Sequence, residues 1–403
     1  MKFVKKLKRH KSALSYVAFV AIMAIFVGVG TYILTGSHAT GPYTIAEAES
    51  GKYAGGAAPA SSTSASGGSY IKYASATASG AMCGTESTPP KPWKHIIWIW
   101  DENKDETVVQ GNSAAPYITS LSKTCGIESA VEDSATQVAL PSEPEYAAAT
   151  SGSNCDVGIT SNSSTGTNCI TTDSDSQSLT TESIFQLAVA NGGSWRGYQE
   201  DMPSACDQIS GGIGNLYAFK HNPAAFYTQI RSQCASDDIG MPSITCSSTL
   251  NTSCGTPTGQ FITDINSGNL PTFAFVTPNL LNDMHNGSAP ASVTIGDNWI
   301  RTWLPIITSG PNYKNGDTAI FIMTDEGSSN SGSAYDIPTT IIAPTITPGT
   351  NVTTPTNNIG LLRTVEEMLG YTTYLGCSGG TPPGATTGCN PGSNVSVKAG
   401  FNF

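Results

Sequence analysis

Four short runs of β-branched and aromatic residues constrain this chain most: His95–Trp100 (HIIWIW), Thr272–Thr277 (TFAFVT), Thr318–Thr324 (TAIFIMT) and Thr339–Ala343 (TTIIA). Each has the length of a strand and is apolar almost throughout, the pattern of a strand covered on both faces. Between and around them lie stretches with helical spacing: Ala115–Cys125, Ser183–Asn191, Pro223–Gln233, Asn298–Thr308 and Leu361–Leu369. Pro223 suits a first helical turn after Asn222, and Gly370 follows Leu369 as a stop. Strands alternating with helices predict an α/β domain, a mainly parallel central sheet with helices on both faces. The domain is expected over residues 91–403, with polar, cysteine-bearing loops over Cys155–Asp175 and Cys234–Pro257.

The N-terminus sets the expected compartment. Lys2, Lys5, Lys6, Lys8, Arg9 and Lys11 precede an uncharged, apolar stretch from Ser12 to Leu34, about 23 residues. That is enough to cross a hydrocarbon core of roughly 30 Å as one helix. The basic flank stays cytoplasmic, so residues 1–35 read as a transmembrane anchor with the rest of the chain outside. Ser37-His38-Ala39 is a weak cleavage site; if it is used, the protein is secreted. All ten cysteines follow the apolar stretch, without a C-x-x-C, and an oxidising exterior favours disulfides. Sequence does not fix their connectivity; the local pairs are Cys155 with Cys169, Cys246 with Cys254 and Cys377 with Cys389. The net charge is −11 with only 12% charged residues, which argues against nucleic acid as a partner.

Residues 36–90 are rich in Gly, Ala, Ser and Thr and read as a linker. Within them, Ala46-Glu47-Ala48-Glu49-Ser50-Gly51 and Ala65-Ser66-Gly67-Gly68-Ser69-Tyr70-Ile71 resemble the opening strands of family 6/35-type carbohydrate-binding modules. The resemblance implies a contact with cell-wall glycan; the plainer reading is a spacer.

The chemistry gathers where strands end. Asp101-Glu102-Asn103 follows the first strand and Asp325-Glu326 follows the third. Ligands of open α/β sheets bind beyond the carboxyl ends of the strands, and carboxylates gathered there call for a divalent cation. Ser142, in Pro141-Ser142-Glu143-Pro144-Glu145-Tyr146, stands at the start of a helix. It is either an N-cap or a hydroxyl held beside a phosphate at the positive end of the helix. The chain has five histidines. His95 opens a strand and reads as structural. His221 and His285 are suited to neutralising phosphate oxygens or protonating a leaving group. So few histidines disfavour an all-histidine zinc centre. Ser142 lacks a Gly-x-Ser-x-Gly context, which disfavours a metal-free serine hydrolase.

The order of these segments resembles the bacterial phosphoesterase family of acid phosphatases and phospholipases C, a branch of the alkaline phosphatase superfamily. The matching segments run from Glu102-Asn103 through Pro141–Tyr146, Lys220-His221-Asn222-Pro223, Asn282-Asp283-Met284-His285, Gly296-Asp297-Asn298-Trp299 and Asp325-Glu326 to Leu361-Leu362-Arg363-Thr364. The resemblance implies an alkaline-phosphatase-like fold and one divalent metal ion held by Glu102, Asn103, Ser142, Asp325 and Glu326. It implies Ser142 as nucleophile, His221 and His285 as catalytic and substrate-binding residues, Asp283 as a substrate-binding residue and a further acidic position at Asp297. Three positions depart from the family pattern: Lys104, Glu145 and Asn358. The expected function is hydrolysis of a phosphate ester, mono- or diester, outside the cell. The alternative is a weak or inactive surface protein that binds glycan or cell wall.

Overall fold

The computed structural model describes residues 80–132, 141–153, 170, 173–174, 177–327, 337–380 and 394–403, with the backbone of 57–61 and 69–73. The apolar stretch 12–34 and Ser37-His38-Ala39 lie outside these residues, as do Cys155, Cys169 and Cys389. Among the described residues, no helix is long and apolar enough to cross a membrane. The chain divides into two compact units, Met1–Thr77 and Ala78–Phe403. In the first, Ala57–Ser61 pairs antiparallel with Ser69–Tyr73.

The second unit carries an eight-stranded sheet. Its strands are β1 (His95–Asp101), β2 (Gly126–Glu128), β3 (Trp195–Glu200), β4 (Asp238–Met241), β5 (Phe273–Thr277), β6 (Thr318–Thr324), β7 (Thr339–Ile342) and β8 (Thr350–Val352). They lie in the order β8-β2-β7-β6-β1-β5-β3-β4. The sheet is mixed: β7 runs antiparallel to β6 and β2, and the other neighbours pair in parallel. β1, β5 and β6 lie side by side with Trp98 opposite Phe275 and Phe321. These three rings are fully buried with Trp100, which is why the strands read as continuous apolar runs.

The four strongest runs are strands as expected, and β2, β3, β4 and β8 join them. β3 (WRGYQE) was hidden because it carries Arg, Gln and Glu. Glu200 is nonetheless buried, accepting from Ile244 N at 2.8 Å and Asn279 N at 2.9 Å. The expected Pro223–Gln233 helix is broken into a 3-10 turn over Pro223–Phe226 and a separate helix, Arg231–Asp237. Between them Thr228 N donates to Leu179 O at 2.9 Å and Leu179 N to Phe226 O at 2.8 Å, so tertiary pairing draws the chain out of helix. The expected Asn298–Thr308 helix begins earlier, at Ala291.

Disulfides stitch the loops: Cys83–Cys125, Cys206–Cys234 and Cys246–Cys254. Cys246–Cys254 is the local pair expected from spacing, whereas Cys83–Cys125 and Cys206–Cys234 are not. Cys83 ties the stretch before β1 to the start of β2, and Thr85 N and Glu86 N both donate to Pro344 O.

One buried acid gives the fold a pH dependence of its own. Glu366, on the helix Asn358–Met368, accepts from Leu375 N at 2.8 Å and Ser378 Oγ at 2.6 Å. Burial pushes its carboxyl up to about 7. The folded protein therefore holds this proton where the unfolded chain has lost it, and stability falls as pH rises from about 4.5 to about 7. Glu366→Gln keeps the side-chain shape without the ionisation. The expected result is a smaller drop in Tm between pH 5 and pH 8 than in the wild type. An unchanged drop contradicts the assignment.

Candidate active site

Three neighbouring parallel strands deliver the site to one sheet edge. Asp101 ends β1 opposite Thr324, the last residue of β6, so Glu102 and Asp325 emerge together. Asn103 takes a left-handed backbone (φ 49°), which Asn tolerates, and turns the chain back over the edge. Its backbone N–H donates to Asp325 Oδ1 at 3.1 Å and its side-chain amide to Glu326 Oε1 at 2.8 Å. After β5, Asn279 folds the loop by accepting from the N–H groups of Leu281 and Asn282, both at 3.0 Å. Asp283 O then accepts from Glu102 N at 2.7 Å. Met284 (φ 73°) separates Asp283 from His285 and packs on Gly296, where an added Cβ would come within 2.5 Å of it. Gly296 lies on helix Ala291–Ser309 and lets the loop sit this close.

Ser142 is the first residue of helix Ser142–Ser151, and Pro141 occupies the N-cap position without a side-chain cap. The N-cap reading of Ser142 therefore does not hold: its hydroxyl leaves the helix end and donates to Glu102 Oε2 at 3.2 Å. One turn on, the Tyr146 hydroxyl donates to Glu102 Oε1. Tyr146 also stacks on His221, ring centroids 5.4 Å apart. His221 lies between two carboxylates, its Nε2 3.2 Å from Glu102 Oε1 and its Nδ1 3.4 Å from Asp283 Oδ2. The His285 ring stands 5.4 Å from the His221 ring. Above the helix start, Asp173 accepts from Glu143 N at 3.1 Å and from Lys220 Nζ at 2.9 Å.

The electrostatics follow from burial. Asp101, Glu102, Asp283 and Asp325 are almost fully buried, and desolvation holds all four carboxyls above their ordinary range. The neighbouring acids Asp325 and Asp283 push Glu102 further up. Burial, with the positive charge of Lys220, pushes both histidines down, so both favour the neutral imidazole. Lys220 is held above its usual value because Glu102, Asp173 and Asp325 together outweigh its burial.

A divalent cation fits these residues. Glu102, His221 and His285 each offer a ligand atom, all within 4.8 Å of one another. His221 Nε2 and Asp325 Oδ2 are buried and make no hydrogen bond of good geometry, which a cation would relieve. His221 and His285 stand at ligand spacing from Glu102 and so join the expected Glu102, Asn103, Ser142, Asp325 and Glu326 as candidate ligands. Asn103 spends its amide N–H on Glu326.

Of the expected residues, Glu102, Asn103, Ser142, His221, Asp283, His285, Asp325 and Glu326 are connected through these contacts at one sheet edge. Asp297 is not among them: it accepts from Tyr117 N at 3.2 Å and Ile118 N at 2.8 Å, capping helix Pro116–Thr124 from outside. His95 is structural, bonded to Pro271 O at 2.9 Å and Asn312 at 2.8 Å. Sequence reasoning missed Tyr146, Lys220 and Asp173. Tyr146 was findable, since i and i+4 share a helix face with Ser142. Two departures from the family pattern meet: Asn358 Nδ2 donates to Glu145 Oε2 at 2.9 Å and to Asp325 O at 3.0 Å.

The Phosphoesterase family matches residues 72–371, and the chain belongs to that family. A phosphatidylinositol-3-phosphatase of Mycobacterium tuberculosis is 26% identical over 279 residues, 68% of this chain and 77% of that protein. A phosphate-repressible acid phosphatase of Penicillium chrysogenum is 31% identical over 140 residues; the match spans 33% of this chain and 28% of that protein. Among solved structures, an alkaline phosphatase superfamily protein from Vibrio parahaemolyticus overlays with a TM-score of 0.43 at 14% identity, over 72% of this chain and 68% of that one. The family match begins beyond residues 46–71, and these comparisons lend the carbohydrate-binding-module resemblance no support.

Tyr146→Phe tests how the centre is held. A hydrogen bond to a buried, ionisable group contributes about 1–3 kcal/mol. Urea unfolding of the chelated variant is expected to show a loss in that range; an unchanged midpoint contradicts the geometry.

Proposed function

We propose that the protein is a phosphate-ester hydrolase that uses Ser142 as nucleophile and one divalent cation, and that it works outside the cytoplasm. The observation that carries this reading is the Ser142 hydroxyl. It stands at a helix N-terminus, caps nothing, and is directed to a buried carboxylate beside two neutral histidines.

Glu102, Asp325 and Glu326, with Asn103 and Ser142, are the residues that would hold the cation, and His221 and His285 stand at ligand spacing from Glu102. When bound, the cation supplies positive charge for phosphate oxygens and makes a neighbouring hydroxyl more acidic. Ser142 Oγ gives its proton to Glu102 and attacks phosphorus in line, forming a phosphoserine as the ester oxygen leaves. The free end of the helix and the Lys220 ammonium face the added negative charge. The leaving ester oxygen takes a proton from solvent; His285, the less buried of the two histidines and neutral, then accepts the proton of the water that releases phosphate, and Ser142 takes its own proton back from Glu102. His221, held between Glu102 and Asp283, keeps Glu102 oriented. The named relatives are phosphatases, so a phosphomonoester is the substrate this reading favours; a diester of phospholipase C type is the alternative.

Export is supported by the three described disulfides, by the basic flank and by the apolar stretch 12–34, which would tether the domain at the membrane. Fractionation should find the full chain with the membrane, or a shortened form in the medium if the leader is cleaved. A cytoplasmic, reduced protein contradicts it. Ser142→Ala is expected to lower kcat on a phosphomonoester by on the order of a thousand-fold or more, with a stability loss no larger than that of Tyr146→Phe, since each removes one hydroxyl hydrogen bond to Glu102. Near-normal turnover in that variant sinks the nucleophile assignment. Chelation is expected to abolish activity and added divalent ions to restore it.

A further inference from the structure

The carboxylate of Asp173 occupies the place that the hydrolase mechanism assigns to the phosphate. Helix Ser142–Ser151 opens with Ser142, Glu143 and Pro144, and proline has no N–H. The start of this helix therefore offers an anion the N–H groups of Ser142 and Glu143. Asp173 takes the second of them. Its Oδ1 accepts from Glu143 N at 3.1 Å, and its Oδ2 accepts from Lys220 Nζ at 2.9 Å. One carboxylate thus spans the backbone donor that follows Ser142 and the ammonium that precedes His221, with one oxygen on each. The same pair of donors suits two oxygens of a phosphate.

The chain around Asp173 is held so as to present it there. Glu143 is fully buried and returns the contact, its Oε2 accepting from Ser174 N at 2.6 Å. Gln177 Nε2 donates to Ser174 Oγ at 2.8 Å, and Gln177 O accepts from Gln208 Nε2 and Arg231 Nη2, both at 3.2 Å. The Asp173 side chain itself is 32% exposed. Turning to another rotamer, it can leave both donors and enter water while Ser174 stays on Glu143. A phosphate drawn to the same two donors meets this carboxylate at like charge, so one anion excludes the other.

We propose that Asp173 is an internal competitor of the phosphate: its carboxylate fills the anion place at the start of the Ser142 helix, turns out when a phosphate ester binds, and returns to displace the inorganic phosphate left after hydrolysis. Asp173 thereby sets the affinity of the site and limits inhibition by product. This rests on the reading of Ser142 as the nucleophile of a phosphate-ester hydrolase.

The test is equilibrium binding of inorganic phosphate, measured by titration calorimetry on the full-length protein with the divalent ion that restores its activity after chelation. KM for a phosphomonoester is measured alongside. Asp173→Asn keeps the shape of the side chain and removes its charge. It is expected to bind phosphate about ten-fold or more tightly than the wild type, because no charge-assisted contact then has to be displaced; KM is expected to fall with it. A carboxylate that only braces the helix start gives the opposite sign, since its loss loosens the site and weakens binding. Equal or weaker phosphate binding by Asp173→Asn, with turnover intact in the wild type, overturns the Asp173 assignment and leaves the hydrolase reading standing. Absence of both phosphate binding and turnover from both proteins overturns the two together. If Asp173→Asn does not fold, Asp173→Ala serves the same comparison, and loss of folding in both overturns the assignment, because the carboxylate is then needed for the fold.

Discussion

Five carboxylates buried along one sheet edge are the constraint on which the rest of this site depends. The parallel pairing of β1 with β5 and β6 brings Asp101, Glu102, Asp283, Asp325 and Glu326 to the same place. Water cannot solvate them there, so burial favours their protonated forms unless the protein or a bound ion supplies positive charge. Each surrounding contact answers that need. Tyr146, Ser142 and His221 converge on Glu102, backbone and side-chain donors of Asn103 hold Asp325 and Glu326, and Lys220 brings positive charge. The helix that begins at Ser142 adds its positive end.

The same constraint explains how the positions that depart from the family pattern are accommodated. Glu145 adds a buried acid three residues after Ser142, and Asn358 meets it with an amide that also holds the carbonyl of Asp325. The start of the Ser142 helix is thereby tied to the Asp325 loop through one side chain. Lys104 is buried at the turn after β1, where its Nζ donates to Asn103 O at 3.2 Å. Removing any one of these leaves a buried group unmatched, so their effects are expected to be non-additive.

Much of this was legible in the sequence, for physical reasons. Strands covered on both faces must be apolar throughout, so β1, β5, β6 and β7 stand out. The acids that follow β1 and β6 could be placed at one edge because parallel strands share their carboxyl ends. β3 escaped because its Arg, Gln and Glu side chains are satisfied by loops distant in sequence. The break after Phe226 escaped because Leu179, far away in the chain, decides it. Ser142 was found, but whether it capped its helix depended on Glu102, forty residues earlier, coming within 3.2 Å. Asp173 left no signal, since its role comes from tertiary contact with Glu143 and Lys220.

The central claim is that Ser142 carries the phosphoryl group during turnover, and the most direct measurement is to look for it there. Protein mixed with a phosphomonoester in the presence of manganese is quenched in acid within one turnover and digested, and the peptide containing Ser142 is weighed by mass spectrometry. The account predicts a phosphate on Ser142 that decays as product appears. Steady release of phosphate with no modified Ser142, or with the phosphate on another side chain, contradicts it.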